Sequence, residues 1–200
     1  MSARMRVPAV LLVAVALLLA GCSSGKKHQA APTSTTPTTG APVARPLRVN
    51  LATTARGPER GFNPSQAAKQ ASPDLQKFLT RYLTVAFLQP AQAKSGWKDL
   101  LGMFDAPVRT TAKQQLDALA LGSTAGKVTQ VRPGKADARA VVLFVNGHPA
   151  AATVQLSFDG TADSAQGSGP VRLRSTFQLL GGQPGWRIAA YNSQTGGEAR

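Results

Sequence analysis

One cysteine, two histidines and nine carboxylates in 200 residues leave little material for a reaction centre. The lone thiol, Cys22, excludes a disulfide within the chain and any cysteine-rich metal site. His28 stands in a stretch with no periodicity, and His148 follows the turn signal Asn146-Gly147. Acid–base work needs a positioned partner, and neither histidine has one in the pattern. A metal held by His148 and Asp159 would need a third ligand that the spacing does not supply. Asp74 and Asp105 are explained as helix-start residues, Asp117 as an exposed helix position, and Asp137, Asp159 and Asp163 as turn residues. No pair is forced onto one face. Gly181-Gly182 and Gly167-Ser168-Gly169 are turn glycines rather than a phosphate cradle, because no helix follows them. These absences point to no catalytic residue, no metal and no cofactor.

Acidic charge is also scarce. Nine Asp+Glu face 23 Lys+Arg, a formal net charge of +14. The bases are spread rather than blocked: residues 23–73 hold seven against one acid, and residues 74–200 hold 14 against eight. No basic run is interleaved with aromatics, so the composition argues against nucleic acid. It suits anionic head groups or anionic envelope polymers. Solubility alone would account for the charge equally well.

Long apolar runs are missing except for one. Arg4 and Arg6 precede residues 7–20, which carry no charge and are apolar apart from Pro8. The run falls short of the ~20 apolar residues of a transmembrane helix. It has the three parts of a secretory signal: positive start, apolar core, small-residue end. The closing residues Leu19-Ala20-Gly21-Cys22 resemble the lipobox of bacterial lipoproteins. The resemblance implies cleavage between Gly21 and Cys22, a diacylglyceryl group on the Cys22 thiol, and acylation of the new amine. Each buried methylene is worth about 0.8 kcal/mol, and two chains anchor stably where one does not. The expected location is therefore the outer face of the cell membrane, after export, with the Cys22 lipid in the bilayer.

The expected domains are residues 1–21 as signal, 22–72 as lipidated cysteine and disordered tether, 73–195 as a folded domain and 196–200 as a tail. Residues 32–46 read PTSTTPTTGAPVARP, a Thr/Pro-rich composition that builds no core. Fifty flexible residues span ~40 Å on average. Leu47, Val49 and Leu51 alternate and allow a short strand, which Arg56-Gly57-Pro58 and Asn63-Pro64 keep from extending.

Ser72-Pro73-Asp74 reads as a helix start. Leu75, Phe78, Leu79, Tyr82, Leu83, Ala86 and Phe87 follow helical spacing until Pro90. A short helix follows Ser95 and carries Trp97, Leu100, Leu101 and Phe104. A third runs from Asp105-Ala106-Pro107 to Gly122. From Gly126 the period becomes two. The expected strands are 127–132, 139–146, 150–158, 171–180 and 185–192, with a hairpin turn at Asn146-Gly147, slightly lengthened by Pro149, and a mobile loop over 159–170. Trp186, Ile188 and Ala190 should share one face, with Arg187 and Tyr191 on the other.

The pattern predicts an α+β fold, N-terminal helices packed on a curved antiparallel sheet of about five strands. The element order and the closing Gly185-Trp186-Arg187-Ile188 strand resemble the nuclear-transport-factor-two-like (cystatin-like) cone. More narrowly they resemble actinobacterial mammalian-cell-entry-associated proteins. The resemblance implies a conical pocket between sheet and helices and no particular activity. Tyr82, Trp97, Phe104, Phe177 and Trp186 are the candidate pocket lining, although periodic aromatics usually fill a core. Arg172, Arg174 and Arg187 are the candidate surface patch if the last two strands pair, or else a solvated face. The expected function is a lipid-anchored, non-catalytic envelope module that binds a protein complex or an anionic polymer. A carrier of a lipid or other apolar ligand is the alternative, and a hydrolase or isomerase of the cone fold is the weakest.

Overall fold

The computed structural model describes residues 46–181 and 185–196. The signal, Gly21, Cys22, His28 and the Thr/Pro-rich segment up to residue 45 lie outside the described residues, as does the end of the tail. The described chain forms β1 (Asn50–Arg56), α1 (Pro64–Leu83), α2 (Lys98–Leu101), α3 (Ala106–Gln114), α4 (Leu116–Leu119), β2 (Val128–Val145), β3 (His148–Ser164), β4 (Gly167–Leu180) and β5 (Arg187–Gly196). The fold is α+β, with one five-stranded sheet in the order β1-β2-β3-β4-β5. No helix among the described residues is long and apolar enough to cross a membrane.

The sheet is mixed rather than antiparallel throughout. β2 to β5 form an antiparallel meander, but β1 pairs with β2 in parallel, Asn50 beside Asp137 and Arg56 beside Leu143. A parallel pair needs a crossover, and the whole helical segment supplies it. β1 carries a weak apolar signal, because its inward side chains are only Leu51, Thr53 and Ala55.

Helix α1 starts nine residues before the expected Pro73, so a strand and almost half a helix fall within the stretch read as tether. Asn63 caps it, its side chain accepting from the Gln66 N–H at 3.1 Å, and Pro64 takes the first turn, where a missing N–H costs nothing. Ser72-Pro73 has the same form but sits inside the helix. The Ser72 hydroxyl donates to the Ala68 carbonyl at 2.7 Å and lies 2.9 Å from Thr53 Oγ1 on β1. The helix buries Ala67, Ala71, Leu75, Leu79, Tyr82 and Leu83, one stripe at near four-residue spacing. A single π turn over Thr84–Leu88 ends it before Pro90.

The third predicted helix breaks in two at Gln115. The second piece ends at Leu119, short of the expected Gly122, which instead opens a 3-10 turn to Lys127; there φ is +50° and a Cβ would collide with the Asp117 carboxylate. Glycine is required there on both counts. The freed Asp117 carboxylate accepts from the Ser123 N–H at 2.6 Å.

The strands are longer than the sequence pattern predicts. Segments 127–132 and 139–146 are one strand, β2, with a register shift between Pro133 and Ala136. Pro133 cannot donate to a ladder, and a bulge rather than a loop absorbs it. The Asn146-Gly147 turn has two residues, with φ of 52° and 73°, the positive pair that a tight hairpin needs. Pro149 falls inside β3 and does not lengthen the turn. The expected loop 159–170 is instead a paired ladder closed tightly between Ser164 and Gly167. Backbone pairing does not need large side chains, and Asp163 adds support by accepting from Arg132 and Ser168.

One further difference concerns facing. Leu179 pairs with Ile188 and Gln178 with Ala190, leaving Ala189 as an extra residue. That bulge reverses the alternation, so Tyr191, not Ala190, shares the inner face with Ile188. Tyr191 packs edge-on against Phe104 at 5.6 Å and donates from its hydroxyl to Gln115 at 2.9 Å.

Candidate functional site: the outer face of the sheet

The five aromatics read as pocket lining are in or against the core. Tyr82, Phe104 and Phe177 are fully buried, Trp97 nearly so, and Trp186 packs half-buried on the same cluster. Tyr82 meets Phe177 edge-on at 5.0 Å and donates from its hydroxyl to the Leu119 carbonyl at 2.6 Å. Burial pushes the Tyr82 phenol far up, with the Tyr191 charge adding to it. The hydroxyl therefore stays a neutral donor. None of the five lines the groove of about 1100 Å³ in the domain.

That concavity lies on the outer face of the sheet, and helix α1 reaches its edge through Gln76. Register places the outward side chains in transverse rows. One end reads Arg56, Leu143, Ala151, Leu180, Arg187 from β1 to β5. Next comes Thr54, Val141, Thr153, Gln178, Ala190, then Ala52, Arg139, Gln155, Thr176, Asn192, then Asn50, Asp137, Ser157, Arg174, Gln194. Beyond these, Asp159 stands beside Arg172.

The face is graded. Val141, Leu143, Val145 and Leu180, at 42–47% exposure, are the large exposed apolar side chains of the described residues. All four lie at the end that carries Arg56 and Arg187. The other end is polar and hollow, a groove of about 1100 Å³ lined by Asn50, Asp137, Arg139, Gln155, Arg174 and Asn192 among others.

The three arginines read as one patch share this face but not one place. Arg172 and Arg174 sit together and converge on Asp159. Arg174 Nη2 lies 3.1 Å from both carboxylate oxygens, and Arg172 Nε lies 3.9 Å from one. Arg174 also donates to the Phe158 and Leu173 carbonyls at 3.2 and 2.8 Å. Arg187 pairs opposite Leu180, about 20 Å further along β4 at ~3.3 Å per residue. The sequence missed Arg56 and Arg139, because only the register shows which row each joins.

Electrostatically the polar end is largely self-satisfied. Asp137 accepts from Lys135 at 2.9 Å and from Asn50 at 3.2 Å. Those hydrogen bonds, the lysine's first, hold its carboxyl below the usual range against slight desolvation. Asp163 is lowered chiefly by Ser168, with Arg132 at 2.7 Å assisting. Asp137 is the one carboxylate lining the groove, and an ionised, doubly bonded carboxylate is a poor proton donor. Among the described residues no three His, Asp, Glu or Cys side chains gather to hold a metal. His148 opens β3 beside Val145, exposed at the turn. The arrangement is suited to recognition by charge, amide and apolar contact. No protein-family model, no curated protein and no solved structure matches the chain.

Proposed function

We propose that this protein is an exported lipoprotein that works as a docking module. The Cys22 lipid holds it on the outer face of the cell membrane. A cone-like domain of the nuclear-transport-factor-two kind presents its outer sheet face to an envelope protein. One observation carries the reading: four exposed apolar side chains gather at one end of one face, between Arg56 and Arg187. Scattered exposed apolar residues need no explanation, but a rimmed cluster marks an interaction surface. Neither arginine makes an ion pair among the described residues. The matching partner is a protein surface with an apolar centre flanked by carboxylates, which would complete both ends of the row. An apolar ligand inside the cone is less well supported, because Tyr82, Phe87, Phe104, Phe158 and Phe177 fill that interior.

The test is recovery of the tagged full chain from solubilised membranes. Wild type should bring down a partner that the double variant Leu143→Glu, Leu180→Glu does not, with the variant still folded by circular dichroism. Glutamates in the apolar centre would bury charge without a partner. A wild-type chain that repeatedly comes down alone sinks the docking reading. The anchor is tested separately: Cys22→Ala should leave the protein unprocessed or move it off the membrane, and unchanged processing and attachment would refute the lipid.

A further inference from the structure

We infer that the row Arg139, Gln155, Thr176 and Asn192 is a binding site for an acidic polysaccharide chain, one bearing carboxylates among its hydroxyls. The inference shares the premise that the outer sheet face is the working surface, but it needs no protein partner and concerns the other end of that face.

The row crosses β2, β3, β4 and β5 through direct register pairs: Arg139 beside Gln155, Gln155 beside Thr176, Thr176 beside Asn192. All four side chains line the groove. Strand spacing is ~4.8 Å, so the row spans about 14 Å.

What sets the row apart is that its hydrogen-bonding capacity is unspent. In the next row Asp137 is tied to Lys135 and Asn50, and Arg174 to Asp159. On the apolar side Thr153 donates to Gln178 at 2.8 Å. Among the described residues, the side chains of Arg139, Gln155, Thr176 and Asn192 make no such bond with one another or with a neighbour. Arg139 feels Asp137, two residues away on the same strand face, but that carboxylate already has its lysine and its amide. Lys135 is offset by Asp137 and Arg174 by Asp159, so Arg139 supplies the net positive charge that an incoming anion meets.

The residue types select the ligand. A guanidinium fork takes a carboxylate in a bidentate pair and keeps its charge at any physiological pH. The carboxamides of Gln155 and Asn192 and the hydroxyl of Thr176 each donate and accept. A sugar hydroxyl does both, whereas an aliphatic anion offers only acceptors. The groove lining holds no aromatic ring, so nucleobases find no stacking platform. An open groove across a sheet, rather than a closed pit, admits a chain that continues past both ends.

Calorimetric titration of the detergent-solubilised full chain tests this with three probes: tetragalacturonate, neutral maltotetraose and tetraglutamate. Tetragalacturonate should bind with a Kd of about 1 mM or tighter, and the other two at least about tenfold more weakly. Arg139→Ala should weaken tetragalacturonate about tenfold, the loss of one charge-assisted fork. Arg172→Ala, on the same face outside the row, should change it less than about twofold. The Leu143→Glu, Leu180→Glu variant should still bind, which separates this site from the protein-docking end. Absence of tetragalacturonate binding overturns the proposal. So does equal binding of tetraglutamate, which would reduce the effect to charge alone, and so does equal loss in Arg172→Ala.

Discussion

The two faces of the sheet are made by the same strands and obey different rules. Inward, Ala152, Val154, Leu156 and Phe158 of β3 are buried with Leu173, Phe177 and Leu179 of β4. Outward, one residue along, stand Thr153, Gln155, Ser157, Arg172, Arg174, Thr176 and Gln178. The inner face is an apolar layer under helix α1 and its extension, where shape decides stability. The outer face is graded from apolar with arginine ends to polar and hollow, and little of it is needed for folding. A domain that must only stay folded does not need four large apolar side chains facing water on one end of one sheet.

The sharpest way to break the comparison is to cut one residue on each side of the same strand. Phe177→Ala should lose about 3–5 kcal/mol, because it empties the site that Tyr82 packs against. Thr176→Ala next door should stay within about 0.5 kcal/mol. Urea denaturation measures both, and a large loss at Thr176 would mean the outer face is structural after all.

A subtler test keeps the shape of the inner face and removes one bond. Tyr82→Phe leaves the Leu119 carbonyl without its 2.6 Å donor in a fully buried place. The cost should be about 1–3 kcal/mol, the penalty of an unsatisfied buried acceptor. Stability unchanged by this variant would mean that the carbonyl finds another partner.

The smallest effect belongs to the outer face. Asp137 and Asp163 are both lowered by hydrogen bonds. A lowered folded pKa contributes stability above the unfolded value, and that contribution is lost as pH falls through the folded value. Asp137→Asn should therefore be slightly less stable than wild type near pH 7, with the gap closing below the usual carboxylate range. Both groups are partly open to solvent, so screening keeps the effect small. A gap that widens in acid would reverse the assignment.

Much of the fold was legible because burial imposes its period on the sequence. The helical stripe from Leu75 to Leu83, the alternation over 150–158 and 171–180 and the Asn146-Gly147 turn are local signals, and the structure has them. The misreadings share one cause, a local signal with two meanings. Asn63-Pro64 reads as the end of a strand yet caps the helix, and Ser72-Pro73 reads as a helix start yet lies inside it against β1. The Gly/Ser-rich stretch after Asp159 looks like a loop, yet its backbone pairs over the whole length. Ala189 looks like any strand residue, and its bulge turns Tyr191 inward.

The candidate site was less legible than the fold. Arg172 and Arg174 were visible as an outward pair, but their neutralisation by Asp159 was not. Arg139 and Arg56 carried no signal at all. A row across a sheet joins residues far apart in the chain, and register alone says which ones meet.

The amino-acid sequence by itself determined which side chains must leave water and at what spacing, since apolar periodicity follows from helix and strand geometry. It also determined the absence of thiol and histidine clusters. Tertiary structure alone decided that β1 joins the sheet in parallel, that a bulge reverses one strand, and that Arg139 stands in line with Gln155, Thr176 and Asn192. The physical reason is that period is a property of one segment, whereas register is a compromise among all the strands that pair.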